Sequence, residues 1–176
     1  MVETPNTQTD GVVDNSILGG IHVKNLKHAG AGLGIIGLVS VFLPWFKATD
    51  ENVGKAFESL GFDNPFSLWD LGKLADKLGE SPSGLYLLMV GFAVGAGALV
   101  FGIVKGGVTK KLASAAAGGF GIALWKAFQF RGDMPEGLSA QMGANLALLC
   151  GVAGLVISGL LIKNPEGESS AAGNDG

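Results

Sequence analysis

The sequence predicts an all-α fold: an integral membrane four-helix bundle with short amphipathic helices in its first extramembrane loop. Three observations lead there. Residues 84–104, GLYLLMVGFAVGAGALVFGIV, carry no charged side chain, and at 1.5 Å rise per residue they reach across a hydrocarbon core of about 30 Å. Three further apolar runs, at 29–46, 112–130 and 141–162, alternate with charged or polar segments. The chain as a whole is 48% apolar and only 15% charged, whereas a soluble domain carries about 25% charged residues.

Taken in order, residues 1–23 read as a flexible tail. Their start is acidic and polar rather than a basic stretch followed by an apolar one, so no signal peptide is expected. The domain proper is expected over 24–163. Lys24 and Lys27 form a basic collar before the first span, 29–46, which ends in Pro44-Trp45-Phe46. A proline is tolerated near a helix end, and tryptophan prefers the headgroup level.

The outer loop, 47–83, holds two short amphipathic patterns. Val53, Phe57 and Leu60 recur at helical spacing, with Gly61 as a C-terminal stop. Ser67 is a fitting N-cap with Asp70 three residues on, and Leu68, Leu71, Leu74 and Leu78 line one face before Gly79. Neither pattern is long enough to span. Both predict helices lying at a membrane surface or over the mouth of the bundle. Phe66 and Trp69 make this loop the candidate partner-binding surface.

The second span, 84–104, opens after Ser81-Pro82 and closes at Lys105. A short turn bearing Lys105, Lys110 and Lys111 leads to the third, 112–130. That segment is rich in alanine and glycine and crosses only if Lys126 snorkels to the interface, so it depends on its neighbours. A polar turn precedes the fourth span, 141–162. Residues 164–176 read as a disordered tail.

Four spans place both termini on one side. The cations divide evenly: Lys24, Lys27, Lys105, Lys110, Lys111 and Lys163 lie on the termini side, and Lys47, Lys55, Lys73, Lys77, Lys126 and Arg131 on the other. Short loops weigh most in the positive-inside rule, so the dense 105–111 turn puts the termini in the cytoplasm of a multi-pass protein of the cell membrane. Trp45, Tyr86 and Trp125 mark the span ends facing the long loop, and Trp69 lies within it. They read as one interfacial belt, or as an aromatic docking surface.

Small residues recur four apart in every span: Gly30 and Gly34, Gly91 and Gly95, Ala117 and Gly121, and Gly143, Ala147 and Gly151. Such stripes let backbones approach where lipid supplies no hydrophobic drive between helices. Gly91, Gly95, Gly143, Ala147 and Gly151 are therefore the candidate packing residues, with self-association as the second use of such stripes. Gln141 and Asn145 share one face of the last span. They are expected to bond across to a neighbouring helix, or else to line a polar path.

The remaining chemistry is sparse. The single cysteine, Cys150, allows no intrachain disulfide or thiolate cage. His22 and His28 lack partners at metal-ligand spacing, and there is no CxxC, HExxH or Walker loop. A net charge of −3 gives no basic face for nucleic acid. No catalytic, cofactor-binding or metal-binding residue is assigned, and no enzymatic activity is expected.

The order of parts resembles that of small uncharacterised bacterial four-helix (tetraspan) inner-membrane proteins. The likeness rests on Leu43-Pro44-Trp45-Phe46 at the end of the first span and on the glycine-rich 143–151 run opening the last. It covers most of 24–163 and implies topology without an activity. A looser likeness is to the claudin-type tetraspan proteins, through Trp45 and the later Leu68-Trp69 element. This chain departs from them in having no cysteine pair after Trp69 and a loop that reads as helical rather than stranded. The expected function is that of a non-enzymatic structural or accessory subunit, working through helix packing and its outer loop. Its expected partners are the lipid bilayer and either a second copy or another membrane protein. The alternative is a small oligomeric channel or transport component with a polar path near Gln141 and Asn145.

Overall fold

A computed structural model describes residues 23–165 of the chain. The expected tails, 1–23 and 164–176, lie outside that range except for Val23, Asn164 and Pro165. The described chain is mostly helical. Its elements are α1 (Val23–Ser40), β1 (Pro44–Ala48), α2 (Glu51–Ser59), β2 (Phe66–Ser67), α3 (Leu68–Lys77), α4 (Ser83–Val104), α5 (Lys110–Gly132), β3 (Leu138–Ala140) and α6 (Met142–Lys163).

The four long helices pack side by side in a ring, each touching its two neighbours: α1 with α4, α4 with α5, α5 with α6, and α6 back to α1. Two aromatic rings fill the middle. Phe92 of α4 and Phe120 of α5 are fully buried and meet edge-on at 6.3 Å. Glycines on the facing helices make room for them. A side chain at Gly37 of α1 would collide with the Phe92 ring, and one at Gly154 of α6 with the Phe120 ring. Leu88, Leu99 and Leu161 close the interior above and below.

The two buried serines of the long helices bond within their own helices. Ser40 Oγ donates to the Gly37 carbonyl at 2.6 Å, and Ser158 Oγ to the Gly154 carbonyl at 2.8 Å. Both are back-bonds to the preceding turn; neither hydroxyl ties one helix to another. Among the described residues no buried side-chain nitrogen or oxygen lacks a partner.

The first span corrects the expectation for 29–46. Its helix begins earlier, at Val23, and stops at Ser40; Pro44–Ala48 is a strand. Proline removes the donor that would continue the helix. The freed Ser40 carbonyl accepts instead from Leu43 N–H at 3.1 Å and from the Trp45 indole Nε1 at 2.7 Å. The chain then turns into the centre of a three-stranded antiparallel sheet, ordered β2-β1-β3. Phe46 faces Phe66 on one side and Ala140 on the other. The loop, read as helical rather than stranded, keeps its two short helices but also supplies residues 47–48 and Phe66–Ser67 to a sheet, which borrows its third strand from the segment before α6.

The two short helices start and stop as their caps dictate. Asp50 accepts from the backbone N–H of Asn52 and Val53 at 2.8 and 3.1 Å. Ser67 and Asp70 form a reciprocal capping box at the start of α3. Gly61 and Gly79, both at positive φ, end the helices where an L side chain would be strained. Segments 44–82 and 133–141 thus form a cap over one end of the ring, and the α4–α5 turn, the start of α1 and the end of α6 lie at the other.

Candidate functional site

The junction between cap and helices is organised around Trp45. Its side chain is fully buried, edge-on to Phe130 at 6.1 Å, and its ring lies against Gly143, where a side chain would collide with it. The Trp45 carbonyl accepts from Gln141 N–H at 2.8 Å, which locks the entry of α6 to β1. Trp45 is therefore a packing anchor and not a member of an interfacial belt. Sequence reasoning assigned it to a helix end because the strand that draws it inward forms only by long-range pairing.

Phe66 is also corrected. It stacks on Phe57 at 4.5 Å, lies tilted against Phe46 at 5.5 Å, and is 3% exposed. Its ring is spent on holding α2 against the sheet, so no partner can reach it. Trp69, its companion in the sequence reading, is 36% exposed. It sits in the first turn of α3, with its N–H donating to the Val41 carbonyl at 3.2 Å and its ring tilted on Phe42 at 5.4 Å. Phe42 was not singled out from sequence, and no local pattern could pair it with a residue so far along the chain.

Two small clefts of about 150 Å³ flank α3 where it lies on the start of α4. One is edged by Trp69, Lys73, Asp76 and Tyr86, and the other by Leu71, Ala75 and Phe130; both share Gly72, Pro82 and Leu85. Gly72 is what lets α3 settle, since a Cβ there would stand 2.5 Å from a Leu85 methyl. On this surface Asp70 binds Lys73 at 2.7 Å and the Ser67 hydroxyl at 2.7 Å. Partial burial pushes its carboxyl pKa up. Hydrogen bonds from Lys73 and Ser67, with the Lys73 charge, outweigh this and hold it below the usual carboxylate value.

The small residues act at helix contacts. A Cβ on Gly91 would stand 2.7 Å from the Ala123 backbone nitrogen, one on Gly95 3.0 Å from the Phe120 ring, and one on Gly151 3.0 Å from Leu124 Cβ. Ala147 is fully buried. On α5 the close residues are Ala116, Gly119 and Ala123, all buried, rather than the Ala117 and Gly121 singled out from sequence. Four-residue spacing alone could not choose between these overlapping stripes.

Gln141 and Asn145 lie at the cap end of α6, not along the ring's interior. Gln141 precedes the helix, and its Nε2 donates to Ser139 Oγ at 3.1 Å. Asn145 is exposed and its Oδ1 accepts from Arg131 Nη1 at 3.1 Å. The two share a backbone bond, Asn145 N–H to the Gln141 carbonyl, at 3.3 Å, but their side chains serve different partners. Asn145 does bridge to a neighbouring helix, at its end rather than its middle.

Among the described residues no group of three His, Cys, Asp or Glu side chains could hold a metal ion. Two helices there, Ser83–Val104 and Met142–Lys163, are long and apolar enough to cross a membrane, and only 39% of each apolar window is buried inside the protein. No protein-family model, curated protein or solved structure matches this chain.

Proposed function

We propose that the chain is a multi-pass membrane protein whose four long helices all cross the bilayer, with the cap on the outer face and the termini in the cytoplasm. In this role it is a non-enzymatic structural or accessory subunit that presents the α3 surface around Trp69 to another membrane protein. The observation that carries the membrane placement is the outward surface of the ring. Ile35, Ile36 and Val39 of α1, Val90 and Val94 of α4, Ile122 of α5, and Leu149, Val152 and Val156 of α6 are all exposed. No charged residue occurs in 29–46, 83–104, 112–125 or 142–162. In water such a belt would be a large apolar patch on every side. In lipid it is the surface that needs no cover, while the interior of each helix satisfies its own backbone groups.

The belt extends the membrane role from α4 and α6 to α1 and α5. α5 is too rich in alanine and glycine to be a strong span alone, yet it contributes Ile122, Trp125 and Phe128 to the outside, each more than two-fifths exposed. Tyr86, Trp125 and Trp69 mark the belt's upper edge, as the interfacial preference of these rings requires. The channel alternative gains no comparable support. Phe92 and Phe120 fill the interior of one copy, and Gln141 and Asn145 stay at its end.

Cysteine labelling tests the placement directly, because the native Cys150 is buried. Ser59→Cys in the cap should react with an impermeant maleimide in intact cells, and Thr109→Cys in the α4–α5 turn only after the cells are permeabilised. Release of the unmodified protein from membranes by alkaline carbonate would sink the placement altogether. Photocrosslinking from position 69 then tests the accessory role, with a stoichiometric membrane-protein adduct as the expected result.

A further inference from the structure

We propose that the α4–α5 turn holds the headgroup of an anionic phospholipid, with the acyl chains lying along the outer face of α4. The inference rests on the bilayer placement above. An open cleft of about 470 Å³ lies at this turn, edged by Phe101, Lys105, Gly106, Gly107, Thr109 and Lys111. The backbone makes its shape. Gly106, at φ +83, folds the chain back, and Gly107 N–H donates to the Gly102 carbonyl at 2.9 Å. A Cβ at Gly106 would meet nothing within 4 Å.

Charge and apolarity are arranged here as in an amphiphile's complement. Lys105, Lys110 and Lys111 are exposed, and no carboxylate among the described residues pairs with them. Every described carboxylate lies in the cap segments 44–82 and 133–141, at the far end of helices about 33 Å long by 1.5 Å rise per residue. Three like charges in so short a turn repel one another unless an anion is supplied. Directly below them Phe101 is 53% exposed and Val104 77% exposed, and the Lys105 ammonium stands over the Phe101 ring at 5.6 Å. A free phosphate would use the lysines and leave the apolar floor uncovered. A phospholipid satisfies both.

The full-length protein in nanodiscs of equal phosphatidylglycerol and phosphatidylcholine, read by native mass spectrometry of retained lipids, tests this. The expected result is preferential retention of phosphatidylglycerol. Juxtamembrane lysines each contribute roughly fivefold to anionic-lipid binding, so Lys105→Gln with Lys110→Gln and Lys111→Gln should cut the preference at least tenfold. The same three positions changed to Arg should keep it, as should Lys73→Gln with Lys77→Gln in the cap. Equal retention of the two lipids overturns the proposal, as does a preference that survives the Gln triple variant. Displacement of phosphatidylglycerol by inorganic phosphate alone overturns it in favour of a free-phosphate site. A preference that emerges only after Glu166→Gln and Glu168→Gln assigns the turn to the chain's own acidic tail, and also overturns it. A protein that inserts but shows no lipid preference defeats this proposal alone; one that carbonate extracts defeats the bilayer placement beneath it.

Discussion

Gly119 of α5 and Gly95 of α4 meet backbone to backbone: a Cβ on Gly119 would stand 2.6 Å from the Gly95 nitrogen and 2.7 Å from the Gly91 carbonyl oxygen. Backbone cannot move aside as a side-chain tip can, so this is the least forgiving contact between the long helices. It sits beside the interlocked Phe92 and Phe120 rings, and the closeness of α4 and α5 is what lets those rings meet.

Gly119→Val should therefore destabilise the protein by about 1–3 kcal/mol or more, as overpacking does. Gly97, on the outer face of the same α4, has nothing within 4 Å of a Cβ. Gly97→Ala should be neutral or stabilising by up to about 1 kcal/mol, through the higher helix propensity of alanine. Thermal unfolding in detergent separates the two. Equal effects would mean that α4 and α5 do not approach as described.

Trp45→Ala should cost about 3–5 kcal/mol, the usual range for a fully buried large aromatic. Trp45→Phe should cost less, because the Ser40 carbonyl keeps its bond from Leu43 N–H when the indole donor is lost. Near-ultraviolet circular dichroism should show the loss of a fixed aromatic signal in the alanine variant. An interfacial Trp45 would instead be nearly silent in both measurements.

Asn145→Leu should change stability by less than about 0.5 kcal/mol, since the residue is exposed and its single bond to Arg131 is in solvent. A reconstituted flux that disappears in this variant, with stability unchanged, would revive a transport role. Absence of any flux in the native protein, with the variant stable, fits the accessory role.

The Asp70 carboxyl, held below its usual pKa, ties the cap to pH. A lowered folded-state value stabilises the cap above the unfolded value of 3.8, and that contribution is lost as pH falls through the lower folded value. Acid unfolding of α3, followed by Trp69 fluorescence quenching, should therefore begin below about pH 3.8. Asp70→Asn should remove this step, while weakening the cap at neutral pH by about 1 kcal/mol through the broken capping box.

Several elements were legible because their signals are local. Ser67 with Asp70 three residues on is a capping box in the sequence and in the structure. Gly61 and Gly79 stop the two short helices as their positions suggested. The charge-free run at 84–104 became α4 with its start shifted by one residue. Phe66 and Trp69, only three residues apart, could not be told apart in the same way. One is buried by a stack on Phe57 and a tilted contact with Phe46, and the other stays open on Phe42.

The residues alone indicated most of the helical segments, the Ser67 cap of α3 and the glycine stops, because caps and period-3.6 patterning act within a few residues of chain. They also determined that the charges would gather at the helix ends, since charge-free runs leave nowhere else for them. Only the tertiary structure decided that Pro44–Ala48 leaves helix 1 for the centre of a sheet, with partners at Phe66 and at Leu138–Ala140. It also decided which small residues touch. Strand pairing and helix contact join residues far apart along the chain, and such pairings carry no local pattern. In a chain with 30 glycines, several stripes satisfy the same spacing, and the seating of Phe92 against Gly37 and Phe120 against Gly154 selects among them.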